Sequence, residues 1–161
     1  MGWLRSLLSR AAGKLEPRGL RLDPSSPCRQ IEGPRTFEQL FRALDGWLPE
    51  GSVLYFEGGS PDAEIESFMA ENAIPEQVHI ALGTLWPRPL VFHVPGTSPV
   101  LSRLAAIMDH HAEPELAWHF HVYRAGVVLL EWHDAFGQPM LVSGAVPDAE
   151  LEDLAERFRK A

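Results

Sequence analysis

The sequence predicts an α+β domain: a mixed, mostly antiparallel sheet of about five to six strands with helices packed mainly on one face. Three observations carry this. Apolar stripes of helical period alternate with strand-like runs in the order α-β-α-β-β-α-β-β-β-α. The last three strand runs are separated by connections too short for parallel crossovers, so they must fold as an antiparallel meander. No period of about 20–50 residues repeats, so a solenoid or propeller is excluded.

Each element has its own signal. Thr36-x-x-Gln39 is a capping box opening a helix with Phe37, Leu40, Phe41, Leu44 and Trp47 on one face, stopped by Pro49 and Gly51. Val53-Leu54-Tyr55-Phe56 is an unbroken apolar run, suited to an inner strand buried on both sides. Ser60-Pro61 starts a second helix, Ser60 as cap and Pro61 in the first turn, with Ile65, Phe68 and Met69 inward. Strands are expected at 77–82 and 89–94, with Pro87 and Pro89 confining the intervening segment to a loop or a sheet edge. Ser98-Pro99 repeats the helix-start device, with Leu101, Leu104, Ala105 and Met108 inward. Strands at 116–123, 127–133 and 139–143 follow, and Pro147-Asp148-Ala149-Glu150 opens a last helix burying Leu151, Leu154 and Phe158.

The domain organisation reads as a basic amphipathic helix at 1–15, a Pro/Gly/Ser-rich linker at 16–35 and a single α+β domain at 36–161. Residues 1–15 place Leu4, Leu7, Leu8, Ala11 and Leu15 at helical spacing, with Arg5, Arg10 and Lys14 off that stripe. No apolar run approaches the roughly 18 residues a membrane-spanning helix needs. Met1-Gly2-x-x-x-Ser6 matches the short myristoylation pattern. Charge is uneven: Arg5, Arg10, Lys14, Arg18 and Arg21 against Glu16 make residues 1–22 net +4, which leaves −12 on the rest of a chain whose total is −8. An acidic body repels phosphates, so no nucleic-acid partner is expected. The single cysteine, Cys28, excludes an internal disulfide, and a cytoplasmic protein, with membrane association through residues 1–15 as a variant, is the simplest expectation.

Candidate chemistry concentrates in residues 117–136, AWHFHVYRAGVVLLEWHDAF. Side chains alternate across a strand, so Trp118, Phe120, Val122, Val128, Leu130 and Trp132 share one side, and His119, His121, Glu131 and His133 the other. A three-residue turn, Arg124-Ala125-Gly126, would set Trp118 opposite Trp132 in the core and His119 opposite Glu131 outside it, raising that histidine's pKa. The four residues His119, His121, Glu131 and His133 are the candidate metal ligands, for zinc or another divalent transition metal with an open position for water. The plainer reading is a solvated or half-covered sheet face. Asp109-His110-His111-x-Glu113 reads as a helix C-terminal cap. HExxH, GxSxG, GxGxxG and the Walker loop are all absent.

Three functions are compatible with these features. The favoured one is a non-catalytic interaction or adaptor module without cofactor, docked to a protein partner or a membrane surface through residues 1–15. The second is a metal-binding protein or metal-dependent hydrolase on the histidine face. The third is a small-ligand binder walled by Tyr55, Trp86 or Tyr123.

Overall fold

A computed structural model describes residues 19–22 and 27–161 of the chain. The helix expected at 1–15 lies outside the described residues, as do residues 16–18 and 23–26 of the expected linker. The described elements run β1 (Cys28–Ile31), α1 (Phe37–Leu44), β2 (Val53–Glu57), α2 (Ala63–Asn72), β3 (Val91–Pro95), α3 (Ser98–Met108), α4 (Glu113–Leu116), β4 (His119–Arg124), β5 (Val127–Trp132), β6 (Met140–Ser143) and α5 (Asp148–Lys160). The strands form one six-stranded sheet in the order β1-β6-β5-β4-β2-β3, antiparallel at every junction. The α+β class is as the sequence predicts. Within the segment read as a linker, residues 28–31 form an edge strand pairing with β6, Cys28 opposite Ser143. Among the described residues no helix is long and apolar enough to cross a membrane.

The helices all contribute to the core on one face of the sheet. Phe37, Leu40, Phe41 and Leu44 of α1, Phe68 and Met69 of α2, Leu101 and Leu104 of α3, Leu116 of α4, and Leu154 and Phe158 of α5 pack there with Leu54, Phe56, Phe120, Val122, Leu130 and Trp132 from the strands. At its centre the Phe37 ring meets Phe41 in a stack at 5.7 Å and the Phe136 ring edge-on at 5.0 Å. Thr36 caps α1 as its sequence predicts: its hydroxyl accepts the Gln39 amide at 3.1 Å, while the Gln39 side chain accepts from the Arg35 amide at 3.0 Å. All five residues of β2 are buried, as an unbroken apolar run requires.

Several expectations need correction. The cap of α2 is Asp62, whose Oδ1 accepts from the Glu64 and Ile65 amides at 3.0 Å each, so this helix begins after Ser60-Pro61. A carboxylate at this position also brings negative charge to the positive end of the helix dipole. Residues 77–82 are not a strand; their ladder contact is the single parallel bridge between Ile80 and Leu20. The strand expected at 89–94 is present as β3, which starts past Pro87 and Pro89 at the sheet edge.

The β4–β5 hairpin is the most instructive difference. Its turn has two residues, Ala125 and Gly126, both at positive φ (47° and 77°), as a type I′ turn demands. A two-residue turn alone would mismatch the two faces. The sheet solves this with a β-bulge: Val122 pairs with Leu130 but Tyr123 with Val128, so Leu129 is the extra residue. Beyond the bulge the faces match again, two residues out from the expected register. Phe120, not Trp118, lies opposite Trp132, and His121, not His119, lies opposite Glu131. Trp118 precedes the strand and is 44% exposed, its ring against Gly58. Val128, on the turn side of the bulge, joins the opposite face.

Candidate functional site

The imidazoles do look away from the helices, and His93, His119 and His121 are covered rather than solvated, while His133 is half-buried. On this second face Tyr55, Val53, Tyr123 and Val128 pack with Leu22 and Ile80, which arrive on two irregular segments laid across the sheet. Those segments hold each other, Leu20 donating to the His79 carbonyl at 2.8 Å and Ala81 to the Leu20 carbonyl at 3.0 Å. Beneath them runs a cross-strand row, one residue from each of four neighbouring strands: His93 of β3, Tyr55 of β2, His121 of β4 and Glu131 of β5. The His121 ring stacks on Tyr55 at 5.1 Å, and the His93 ring meets Tyr55 edge-on at 5.3 Å. In the next row Glu57 of β2 lies opposite His119 of β4.

The polar atoms of this face are largely occupied by the covering backbone. Glu57, fully buried, accepts from the Tyr55 hydroxyl at 2.8 Å, the Gly83 amide at 3.0 Å and the Thr84 amide at 2.6 Å. One Glu131 oxygen accepts the Leu22 amide and the other lies 2.8 Å from His133 Nε2. His119 Nδ1 accepts the Asp134 amide at 3.0 Å, which makes its Nε2 the protonated nitrogen facing the Thr84 hydroxyl at 3.2 Å. His121 Nδ1 accepts the Trp132 amide at 3.3 Å. The Leu22, Gly83 and Thr84 amides of the two irregular segments thus find side-chain carboxylates as acceptors, as buried amides require.

Electrostatics sort the imidazoles. Burial pushes His121 well below the usual histidine range, and the neighbouring His133 and His119 push it the same way. Burial likewise lowers His119 and His93, the latter lying with Nδ1 2.9 Å from the Tyr123 hydroxyl. His133 goes the other way: its hydrogen bond to Glu131 holds it above the usual range. The carboxylate therefore raises His133 rather than His119, because the register delivers Glu131 to His121 and the strand end folds the His133 ring back onto Glu131. Burial, then the Glu57 carboxylate, push the Tyr55 phenol far up, so it stays a donor.

The structure brings all four sequence-derived candidates into one cluster. The His133 ring lies 5.2 Å from His119 and 4.9 Å from His121, and its Nε2 touches Glu131. Tyr55 and Tyr123 are buried, whereas Trp86 is exposed. Beside the cluster a cavity of about 570 Å³ is lined by Arg21, Thr84, Leu85, Trp118, His133 and Asp134, among others. His133 brings it an imidazole held toward its cationic form, and Arg21 a permanent charge. Sequence reasoning missed Glu57, although a glutamate closing the run VLYFE, in phase with Tyr55, signals a polar member of a buried face. A Cβ on Gly83 would stand 2.9 Å from atoms of both His119 and His133. Gly83→Ala is therefore expected to lift the covering loop and lower stability by about 1–3 kcal/mol, the usual cost of overpacking, measurable by urea unfolding.

A second cluster lies elsewhere. Glu64 near the start of α2 and the pair His110 and His111 beyond α3 approach so closely that one ligand atom from each lies within 4.8 Å of the other two. Among the described residues this is the group of histidines, cysteines and carboxylates with that convergence. The expected cap is also present, since His111 Nδ1 lies 2.8 Å from the Ile107 carbonyl. A scan of family models and searches of curated proteins and of solved structures found nothing that matches this chain.

Proposed function

We propose that the chain is a non-catalytic protein-interaction module that engages its partner through the apolar surface around residues 85–90, with the basic segment 1–15 as a second point of contact. One observation carries this reading: Trp86 is 86% exposed, with Leu85 at 72% and Leu90 at 51% beside it in the chain. Trp118 adds a further exposed ring, lining the same cavity as Leu85. Large side chains clustered in water mark contact surfaces, and tryptophan is among the residues that dominate binding energy when a partner covers it. The neighbouring strand β3 is a sheet edge, a place where proteins accept extended partners. The buried polar cluster supports the non-catalytic part of the reading, because its carboxylates are engaged in fastening two segments to the sheet, while His121 and His119 accept the backbone amides of Trp132 and Asp134.

The test is capture from native lysate by the full chain, repeated with Trp86→Ser and with residues 1–15 removed. The expected result is a partner whose affinity falls about 30-fold or more for Trp86→Ser, the effect of losing a hot spot of about 2 kcal/mol. Stability should stay within about 0.5 kcal/mol, as for an exposed substitution. Equal capture by Trp86→Ser, or no partner for the parent chain, removes the proposal. Vesicle co-sedimentation of the full and shortened chains separates a membrane from a protein as the target of residues 1–15.

The alternative, metal binding at His119, His121, Glu131 and His133, is favoured by the close approach of the three rings. It requires His119 and His121 to surrender the backbone amides that their Nδ1 atoms accept, or to lose the proton on Nε2. Loss of bound metal on His133→Ala would support it, and metal retained by that variant would count against it.

A further inference from the structure

We infer that Glu64, His110 and His111 form a binding site for a divalent transition metal of the zinc class, linking the start of α2 to the end of α3. The ligand atoms are already close to the spacing an ion would impose. Two ligands about 2.0–2.1 Å from a tetrahedral zinc stand about 3.4 Å apart. Glu64 Oε2 lies 2.9 Å from His110 Nε2 and 3.8 Å from His111 Nε2. The Glu64 and His110 side chains are about half exposed, at 51% and 57%, so each can rotate by the few tenths of an ångström required.

His111 is the anchored member. Its side chain is only 7% exposed, and its Nδ1–H donates to the Ile107 carbonyl at 2.8 Å. An imidazole held in this way by a backbone carbonyl presents its other nitrogen in fixed orientation, which is the usual outer-shell arrangement of a metal-binding histidine. That other nitrogen, Nε2, points into the cluster, 3.0 Å from Asp62 Oδ2. Asp62 is anchored too, since its Oδ1 accepts the first amides of α2, leaving Oδ2 free to serve as a fourth ligand or to orient a water. Glu115 Oε2 stands 4.0 Å from the same nitrogen.

The donor set selects the ion. Two imidazoles with one or two carboxylates suit zinc and its neighbours, whereas magnesium and calcium prefer oxygen alone. Without metal, a proton shared between His111 and Asp62 fills the same position, so binding should release protons. The three ligands come from two places in the chain, Glu64 at the start of α2 and the adjacent His110 and His111 beyond α3. The ion would therefore act as a clamp, with solvent access for exchange.

Zinc titrated into the untagged full-length chain by calorimetry tests this, with cobalt(II) as a visible probe of tetrahedral coordination. The expected result is one ion per chain, a zinc-dependent rise in melting temperature, and affinity at least about tenfold weaker in His110→Ala and in Glu64→Gln, since even outer-shell losses cost that much. Both substitutions are at exposed side chains, so the folded state is retained for the comparison. His133→Ala should bind zinc as the parent does. No saturation at micromolar zinc, or unchanged affinity in His110→Ala, overturns the site. Affinity lost on His133→Ala and kept by His110→Ala would place the ion on the hairpin face and overturn it equally.

Discussion

Glu57→Ala is expected to destabilise the fold by about 3–5 kcal/mol, the range for removing one member of a buried charged network. Three donors converge on this carboxylate, the Tyr55 hydroxyl and the Gly83 and Thr84 amides, and none has an alternative partner within the sheet. Alanine strands all three, and each orphaned buried donor costs about 1–3 kcal/mol. At about 2–4 °C per kcal/mol for a chain of this size, melting should fall by about 6–20 °C. Glu57→Gln should be milder but still costly. One acceptor oxygen survives, and the new amide nitrogen must face a donor, because Oε1 receives Thr84 and Oε2 receives both Tyr55 and Gly83. Hydrogen exchange localises the effect: the Gly83 and Thr84 amides should lose protection first in either variant. A loss below about 1 kcal/mol, the net worth of one ordinary hydrogen bond, would show that Glu57 does not fasten the loop.

That role explains which parts of the molecule were legible in the sequence. Helices α1, α3 and α5 announce themselves by stripes of period 3.6 and by start signals, because their burial is decided by local spacing. The phase of β4 and β5 was legible as well: Phe120, Val122, Leu130 and Trp132 face the helices, and His119, His121 and Glu131 do not. Register was not. It depends on a bulge at Leu129, and a bulge leaves no periodic trace in one sequence. Trp118 was misplaced for the same reason, its even parity counting only while the strand lasts. The cover of the second face was invisible. Residues 19–22 and 74–84 are irregular apart from one bridge between them, so much of their anchoring comes from Glu57, Glu131 and His119 far away in sequence. The Glu64–His110–His111 convergence was hidden in the same way, since only tertiary packing brings two helix ends together.

Acid should unfold this protein through its histidines, with His121 the largest single contributor. Its imidazole is 1% exposed, stacked on Tyr55, and flanked by His119, His133 and Glu131. Burial holds it neutral in the folded chain, far below the value of about 6.5 that it regains on unfolding. Between those two pKa values the unfolded state binds a proton that the folded state refuses, so stability falls as pH drops through that window. The slope is about 1.4 kcal/mol per pH unit for one proton. His93 and His119, also lowered by burial, add to the loss over their own narrower windows. His133 and His111 oppose it: their raised values contribute stability that is complete below about 6.5 and disappears as pH rises through the folded values. With three groups against two, and the most deeply buried among the three, the balance is acid lability. His121→Asn isolates the main contributor. An asparagine oxygen can still accept the Trp132 amide while removing the titration, at a cost near neutrality of about 1–3 kcal/mol for the lost ring. Urea unfolding from pH 8 to pH 4 should therefore give the variant a shallower decline, flatter by about 1.4 kcal/mol per pH unit below 6.5, so that the two stability curves converge toward low pH. Parallel curves would mean that His121 is protonated in the folded protein, which needs a buried anion closer to it than Glu131; the imidazole shifts of His121 followed by NMR over the same range would then show a titration instead of a flat line.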